Sequence, residues 1–252
     1  MVIAICNQKG GVGKTTTAIS LAVSLAKEGQ RVLIIDLDPQ GNATSGLGFD
    51  KSELRATSYD LLINELPIRD CIVDSGRENL DVLPTNINLA GAELELVSAV
   101  SRETILKRSL APVQKDYDII LIDCPPSLGL LTINALTVSD SLIIPVQAEY
   151  YALEGLSQLL DTVSKVKKIL NPDIEILGAL ITMYDRRTNL ATEVASELRN
   201  FFQGKCFETT IPRNVRISEA PSHGQAIVEY EPYSRGGVAY KSLAKEILNK
   251  LA

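Results

Sequence analysis

Apolar residues fall along this chain in two rhythms. Short, nearly unbroken apolar runs recur at Val2–Cys6, Arg31–Asp36, Leu80–Pro84, Asp118–Asp123, Ser141–Val146, Ile174–Met183 and Cys206–Ile211. Runs of that kind mark strands covered on both faces, as in a parallel sheet. Between them the spacing turns helical, over Thr17–Lys27, Gly91–Gln114 (broken near Pro112), Leu153–Leu170, Leu190–Phe202 and Ser234–Leu251. Asn171-Pro172 stops the third of these helices. Residues 43–60, rich in Ser, Thr, Gly and Asp, read as a loop with a short helix. Strands alternating with helices predict an α/β fold, a mostly parallel twisted sheet with helices on both faces. No repeat, low-complexity tract or linker interrupts the pattern, so residues 1–252 read as a single domain.

Composition narrows the class. A hydrophobic fraction of 45% is ample for a core. No run approaches the ~18 apolar residues of a spanning helix. The N-terminus enters the first strand directly, with no basic-then-apolar leader. Cys6, Cys71, Cys124 and Cys206 are scattered, without a C-x-x-C pair, which fits reduced thiols in a cytoplasmic protein. Net charge is −6, against a uniformly basic nucleic-acid binder. The charge is uneven, however. Residues 1–150 hold 12 basic and 19 acidic side chains, and residues 151–252 hold 13 and 12. A nucleic-acid surface would therefore be a local patch in the second half.

The chemistry concentrates at the start. Behind the first strand comes Asn7-Gln8-Lys9-Gly10-Gly11-Val12-Gly13-Lys14-Thr15-Thr16, and a helix follows at once. Glycines let successive N–H groups turn into one concavity, and the helix N-terminus behind them favours an anion. Lys14 can reach the β- and γ-phosphates of a nucleotide, and the Thr15 hydroxyl can ligate Mg²⁺. The usual phosphate-loop pattern asks for glycine at position 8; this chain has Gln8 and an extra lysine, Lys9. The Asp118–Asp123 run has the form of a Walker B strand, whose Asp123 holds Mg²⁺ through a water. The second strand ends in Asp36-Leu37-Asp38, at the end of a parallel strand where such folds bind ligands.

The K-G-G-x-G-K-T loop resembles the deviant Walker A loop of the ParA/MinD ATPases. The stretches Asp36–Gly48, Asp123–Ser127, Pro145–Gly155 and Ile211–Arg216 extend that resemblance nearly end to end, toward the chromosomal ParA/Soj branch of phosphate-loop NTPases. The resemblance implies ATP and Mg²⁺ as ligands and slow ATP hydrolysis. It implies that Lys9 acts across an ATP-dependent homodimer interface, and that Gly10, Gly11, Val12, Gly13, Lys14, Thr15 and Thr16 cradle the phosphates. Asp38 resembles the residue that orients the attacking water; Pro212 and Asn214 resemble adenine-side contacts. Arg187 and Arg216 resemble arginines that bind duplex DNA without sequence preference. A ParB-type centromere-binding protein is the implied stimulating partner, and the nucleoid the implied location.

Three rivals share the loop. A MinD-like membrane-associated ATPase would use the last helix, which gathers Leu243, Ile247, Leu248 and Leu251 on one face. An ATP-dependent metabolic ligase would need a substrate constellation, and none is visible. An iron–sulfur reductase would need paired cysteines, but Cys6 and Cys124 lie inside and beside strands. The lone His223 reads as structural or exposed.

Overall fold

The computed structural model describes residues 1–149 and 155–251. Seven strands form one sheet: β1 Val2–Ile5, β2 Val32–Asp36, β3 Val73–Arg77, β4 Leu80–Leu83, β5 Ile119–Asp123, β6 Ser141–Gln147 and β7 Glu175–Thr182, in the order β3-β4-β2-β5-β1-β6-β7. All neighbouring pairs are parallel except β3–β4. The register sets Ile5 opposite Asp123 and Asp123 opposite Asp36. The ends of β1, β2 and β5 therefore meet along one edge.

The helices are α1 Lys14–Lys27, α2 Asn42–Gly46, α3 Ser58–Leu62, α4 Ile68–Cys71, α5 Leu89–Glu95, α6 Ile105–Leu110, α7 Leu130–Val138, α8 Leu156–Ile169, α9 Asn189–Phe202, α10 Val215–Glu219, α11 Ile227–Tyr230 and α12 Arg235–Leu251. Alternation along the strands builds two cores. Ile3, Ile5, Val32 and Ile34 pack with α1, α11 and α12, whereas Val2, Ala4, Leu33 and Ile35 pack with helices α3 to α9. Of the last helix's apolar stripe, Leu243 and Ile247 are fully buried and Leu248 and Leu251 pack against the same core. That face is spent on the core, beside α1 and α11. Among the described residues, no helix is long and apolar enough to cross a membrane.

Several local expectations need correction. Cys206–Ile211 is not a strand. It runs beside β7, with Phe207 N donating to Ala179 O (2.9 Å) and Ile211 N to Ile181 O (2.8 Å). Between those points the Glu246 carboxylate on α12 takes the N–H groups of Glu208 (2.8 Å) and Thr209 (3.0 Å), so the ladder breaks. The helical stretch Gly91–Gln114 is two helices, interrupted around Ser101 in the left-handed region at φ 53°. Arg216 lies on α10. Strand β3 and helix α7 had no counterpart in the pattern. Tyr150–Glu154, which include the expected start of the third helix and part of one family-like stretch, lie outside the described residues.

Candidate nucleotide site

The loop Asn7–Gly13 emerges from β1 and is braced by side chains from distant strands. Asn7, 5% exposed, donates from Nδ2 to Pro145 O (2.7 Å) and accepts from Lys9 N (3.0 Å). Thr182, the last residue of β7, donates from Oγ1 to Val12 O (2.8 Å). Gly11 (φ 74°) and Gly13 (φ 87°) take left-handed backbone that a side chain would strain, and Gly13 delivers the chain into α1. Lys14 folds back over the loop, its Nζ donating to Lys9 O (3.3 Å). The loop is thus held open as a cradle at the N-terminus of a 14-residue helix. Behind it, Thr17 Oγ1 meets the Tyr240 hydroxyl at 3.2 Å, tying α1 to α12.

Carboxylates converge on the mouth of this cradle. Asp123 and Asp36 are fully buried and Asp38 is 8% exposed. Asp36 is well supplied with donors: Thr44 N (2.8 Å), Thr44 Oγ1 (2.7 Å) and Asp38 N (3.1 Å). Burial nevertheless pushes its pKa up to about 6, and the charge of Asp38 adds to the rise. Neither oxygen of Asp123 has a hydrogen-bond partner. Burial first, and the Asp36 charge second, hold its carboxyl well above the usual range, while Thr15 and Lys14 lie close enough to oppose that. An orphaned buried carboxylate beside a hydroxyl and a phosphate cradle fits a divalent cation. Among the described residues, no group of three or more His, Cys, Asp and Glu side chains makes a metal cage of its own. A Mg²⁺ ion completed by one or two protein oxygens and by phosphate suits such a donor set.

Pro212 and Asn214 come together, as lining of a cavity of about 370 Å³ that Gly13, Thr16, Thr182 and Tyr240 also border. It opens from the phosphate cradle and is the right size for a base. Asn214 Oδ1 is taken by Arg216 N (3.0 Å) as the cap of α10, which leaves the Asn214 amide group as the donor facing the cavity. Lys9 stands apart from its neighbours in the loop. Its side chain is 37% exposed, and its ammonium lies 3.8 Å from Glu149. Arg187 and Arg216 are exposed and paired within their own segments, with Asp185 (2.7 Å) and Glu219 (2.8 Å). His223 stacks on Tyr230 at 4.9 Å, a packing role. Cys6 and Cys124 are buried, and burial pushes the Cys124 thiol up.

A seven-stranded, mostly parallel sheet that delivers a lysine-bearing glycine loop and a Walker B aspartate to one edge defines a phosphate-loop nucleotide-binding protein of the deviant Walker A type. A family model described as an AAA domain matches residues 1–176. The sporulation initiation inhibitor protein Soj of Bacillus subtilis is 59% identical over 246 residues, 98% of this chain and 97% of that one. The chromosome partitioning protein ParA of Myxococcus xanthus is 50% identical, covering 99% of this chain and 88% of its own. A crystal structure described as the cobyrinic acid a,c-diamide synthase of Mycobacterium smegmatis, with bound ADP and magnesium, superposes with a TM-score of 0.87 at 39% identity, over 99% of this chain and 94% of that one. The chain belongs to the ParA/Soj family of chromosome-partitioning ATPases.

Proposed function

We propose that this chain is an ATP-driven switch that works in chromosome or plasmid partitioning. It binds Mg²⁺ and ATP, pairs with a second copy in that state, holds duplex DNA without sequence preference as the pair, and is reset by hydrolysis. The orphaned carboxylate of Asp123 beside Lys14 and Thr15 carries the nucleotide half of this reading. A structural relative that binds ADP and magnesium supports both ligands.

Each residue has a task that follows from its place. The N–H groups of Gly10 to Thr16 bind the phosphate oxygens, and Lys14 neutralises charge that builds on them as the terminal phosphoryl leaves. Thr15 and Asp123 would hold Mg²⁺, which would supply further neutralisation of the phosphate charge. Asp38 accepts a hydrogen bond from the attacking water and fixes its line of approach; positioning of this kind matters more than basicity in phosphoryl transfer. Pro212 and Asn214 flank the base. Lys9 is not consumed by its own loop, and its exposed pair with Glu149 is of the kind worth little. It can exchange that carboxylate for the phosphates of a nucleotide on the facing copy. Hydrolysis stays slow until a ParB-type partner completes the site. Arg187 and Arg216 contact DNA phosphates, and pairing doubles those contacts, so DNA affinity follows nucleotide state. The protein then works in the cytoplasm, on the nucleoid.

The rival readings have less to rest on. The last helix spends its apolar face on the core, which leaves a membrane-lying role without its surface. The metabolic ligase resemblance is at 39% identity, against 59% for Soj. Light scattering with gel filtration tests the proposal. Wild type is monomeric alone, dimeric with Mg²⁺ and ATP, and moves onto duplex DNA only with ATP. Lys9→Ala binds ATP yet stays monomeric. A Lys9→Ala protein that dimerises like wild type would overturn the face-to-face pairing.

A further inference from the structure

One buried threonine joins three elements of the site. Thr44, on α2, is fully buried, as are Asp36 at the end of β2 and Thr85 beyond the end of β4. Its hydroxyl donates to Asp36 Oδ2 (2.7 Å) and accepts from Thr85 N (2.9 Å), while its own N–H donates to the same Oδ2 (2.8 Å). The direction of this chain is fixed. A backbone N–H can only donate, so the Thr44 oxygen must accept from Thr85 and spend its single proton on Asp36. The other oxygen of Asp36 accepts from Asp38 N (3.1 Å). Asp38 in turn closes its own turn, with Oδ1 accepting from Gln40 N (3.0 Å) and its carbonyl from Gly41 N (2.8 Å). Leu37 N also donates to Asp123 O (3.0 Å) and Lys51 Nζ to Gln40 O (2.8 Å), but the Asp38 N–H is held by the Asp36 carboxylate, and Thr44 supplies two of the three donors that orient that carboxylate.

We propose that Thr44 is a positioning residue for phosphoryl transfer: acting through Asp36, it fixes the backbone from which Asp38 projects. The inference rests on the reading of Asp38 as the group that aligns water. Thr44 itself touches neither the phosphate loop nor the base cavity, so its effect falls on the chemical step and not on nucleotide binding. Valine at 44 keeps the branched shape and removes the hydroxyl. Asp36 then loses one donor and Thr85 N–H loses its acceptor; both are buried and will turn to recover partners. Small misplacements of an aligning group cost as much as ~100-fold in rate.

Thr44→Val, Thr44→Ser and Asp38→Ala should be compared with wild type by basal steady-state hydrolysis and by affinity for a fluorescent ADP analogue. Thr44→Val is expected to lower kcat roughly 10- to 100-fold, with KM for ATP and the ADP affinity changed less than about 2-fold, and Thr44→Ser to restore kcat to within about 3-fold of wild type. In an Asp38→Ala background, Thr44→Val should have no further effect on residual turnover. A Thr44→Val enzyme with wild-type kcat overturns the proposal, and so does one that loses kcat and nucleotide affinity in the same proportion. If Thr44→Val does not fold, Thr44→Cys, with its weaker donor, is read the same way and should fall between Ser and the dead enzyme. Should Asp38→Ala hydrolyse ATP like wild type, the reading of Asp38 fails by itself; a dead Asp38→Ala beside a fully active Thr44→Val sinks the positioning role alone.

Discussion

Strand β5 has an aspartate at each end, Asp118 just before it and Asp123 as its last residue, and the two sit in opposite electrostatic surroundings. Asp118 accepts from Arg31 N (2.9 Å), Arg31 Nε (3.1 Å) and Arg31 Nη2 (2.8 Å), and those bonds hold its pKa down to about 2. Asp123 has no donor, is fully buried, and is pushed well up. The contrast extends along both edges of the sheet. At the amino edge Asp140 caps Val2 N (2.7 Å) and Asp116 pairs with Arg69 (2.7 Å). At the carboxyl edge Asp36, Asp38 and Asp123 crowd together, with Lys14 the cation that acts on Asp123. A parallel sheet explains why the edges differ. Every strand but β3 delivers its carboxyl end to the same side, where the crossover loops leave a crevice. A paired, exposed carboxylate is finished as it stands, whereas a buried, unpaired one must hold a proton or take a cation from outside.

The largest effects follow from the carboxyl edge. Lys14→Ala and Asp123→Asn should each lower ATP hydrolysis by at least about 100-fold, since on the proposed reading Lys14 neutralises the transferring phosphoryl group and Asp123 holds the Mg²⁺. The two differ in a second measurement. Asp123→Asn replaces a buried carboxylate by a neutral isostere, so without nucleotide its urea midpoint should hold or rise. Loss of activity with a steady or raised midpoint marks a residue kept for its ligand. A midpoint that falls by the equivalent of more than about 1 kcal/mol would mean that Asp123 serves the fold instead.

A smaller effect probes whether pairing always marks a finished site. Arg187 and Arg216 are paired, yet both are exposed, with side chains 88% and 52% accessible, and exposed pairs contribute little. Each can trade its carboxylate for a DNA phosphate. With roughly 4–6 phosphate contacts per dimer, log affinity should fall against log salt with a slope of about −4 to −5, and Arg216→Ala should flatten it by about 2. ATP-dependent dimerisation should survive that change. Unchanged affinity and slope in both Arg187→Ala and Arg216→Ala would put the DNA surface elsewhere.

What could be read from the chain and what could not divides along the same physical line. The strand, glycine loop and helix at the start were legible because they are contiguous, and β5 was legible because an apolar run ends on Asp123. The last helix was legible because its period is regular. The braces were not, because they act across the fold. Asn7 meets Pro145 at a separation of 138 residues, Thr182 meets Val12 at 170, and Thr44 meets Thr85 at 41. Nothing local distinguishes such a threonine from any other. Strand β3 escaped because its half-buried, half-exposed alternation over Val-Asp-Ser-Gly-Arg has only one apolar residue. Helix α7 escaped because it is buried nearly all round, Thr132, Asn134 and Thr137 included, and so shows no period. Cys206–Ile211 has a strand's composition, and only Glu246, far along the chain, prevents the ladder.

The smallest expected effect is at the amino edge, and it is the counterpart of Asp123→Asn. Asp118→Asn removes a carboxylate whose partners are already in place, so hydrolysis should be unchanged within about 2-fold. Stability should move only slightly, because Arg31 and Asp118 are both about half exposed, at 54% and 39% of their side chains, and water and salt screen the pair. A urea midpoint lower by about 0.2 M at pH 7 is the expected size. The sign with pH follows from the depressed pKa. The folded protein holds the Asp118 proton more weakly than the unfolded chain does, so the pair's contribution is full above about 3.8 and fades as pH falls toward about 2. The gap between wild type and Asp118→Asn should therefore be widest at neutral pH, narrow below pH 4, and close in molar salt. An Asp118→Asn protein that loses ATP hydrolysis would erase the distinction between the two ends of β5, because a paired carboxylate far from the phosphate loop would then be acting on the chemistry.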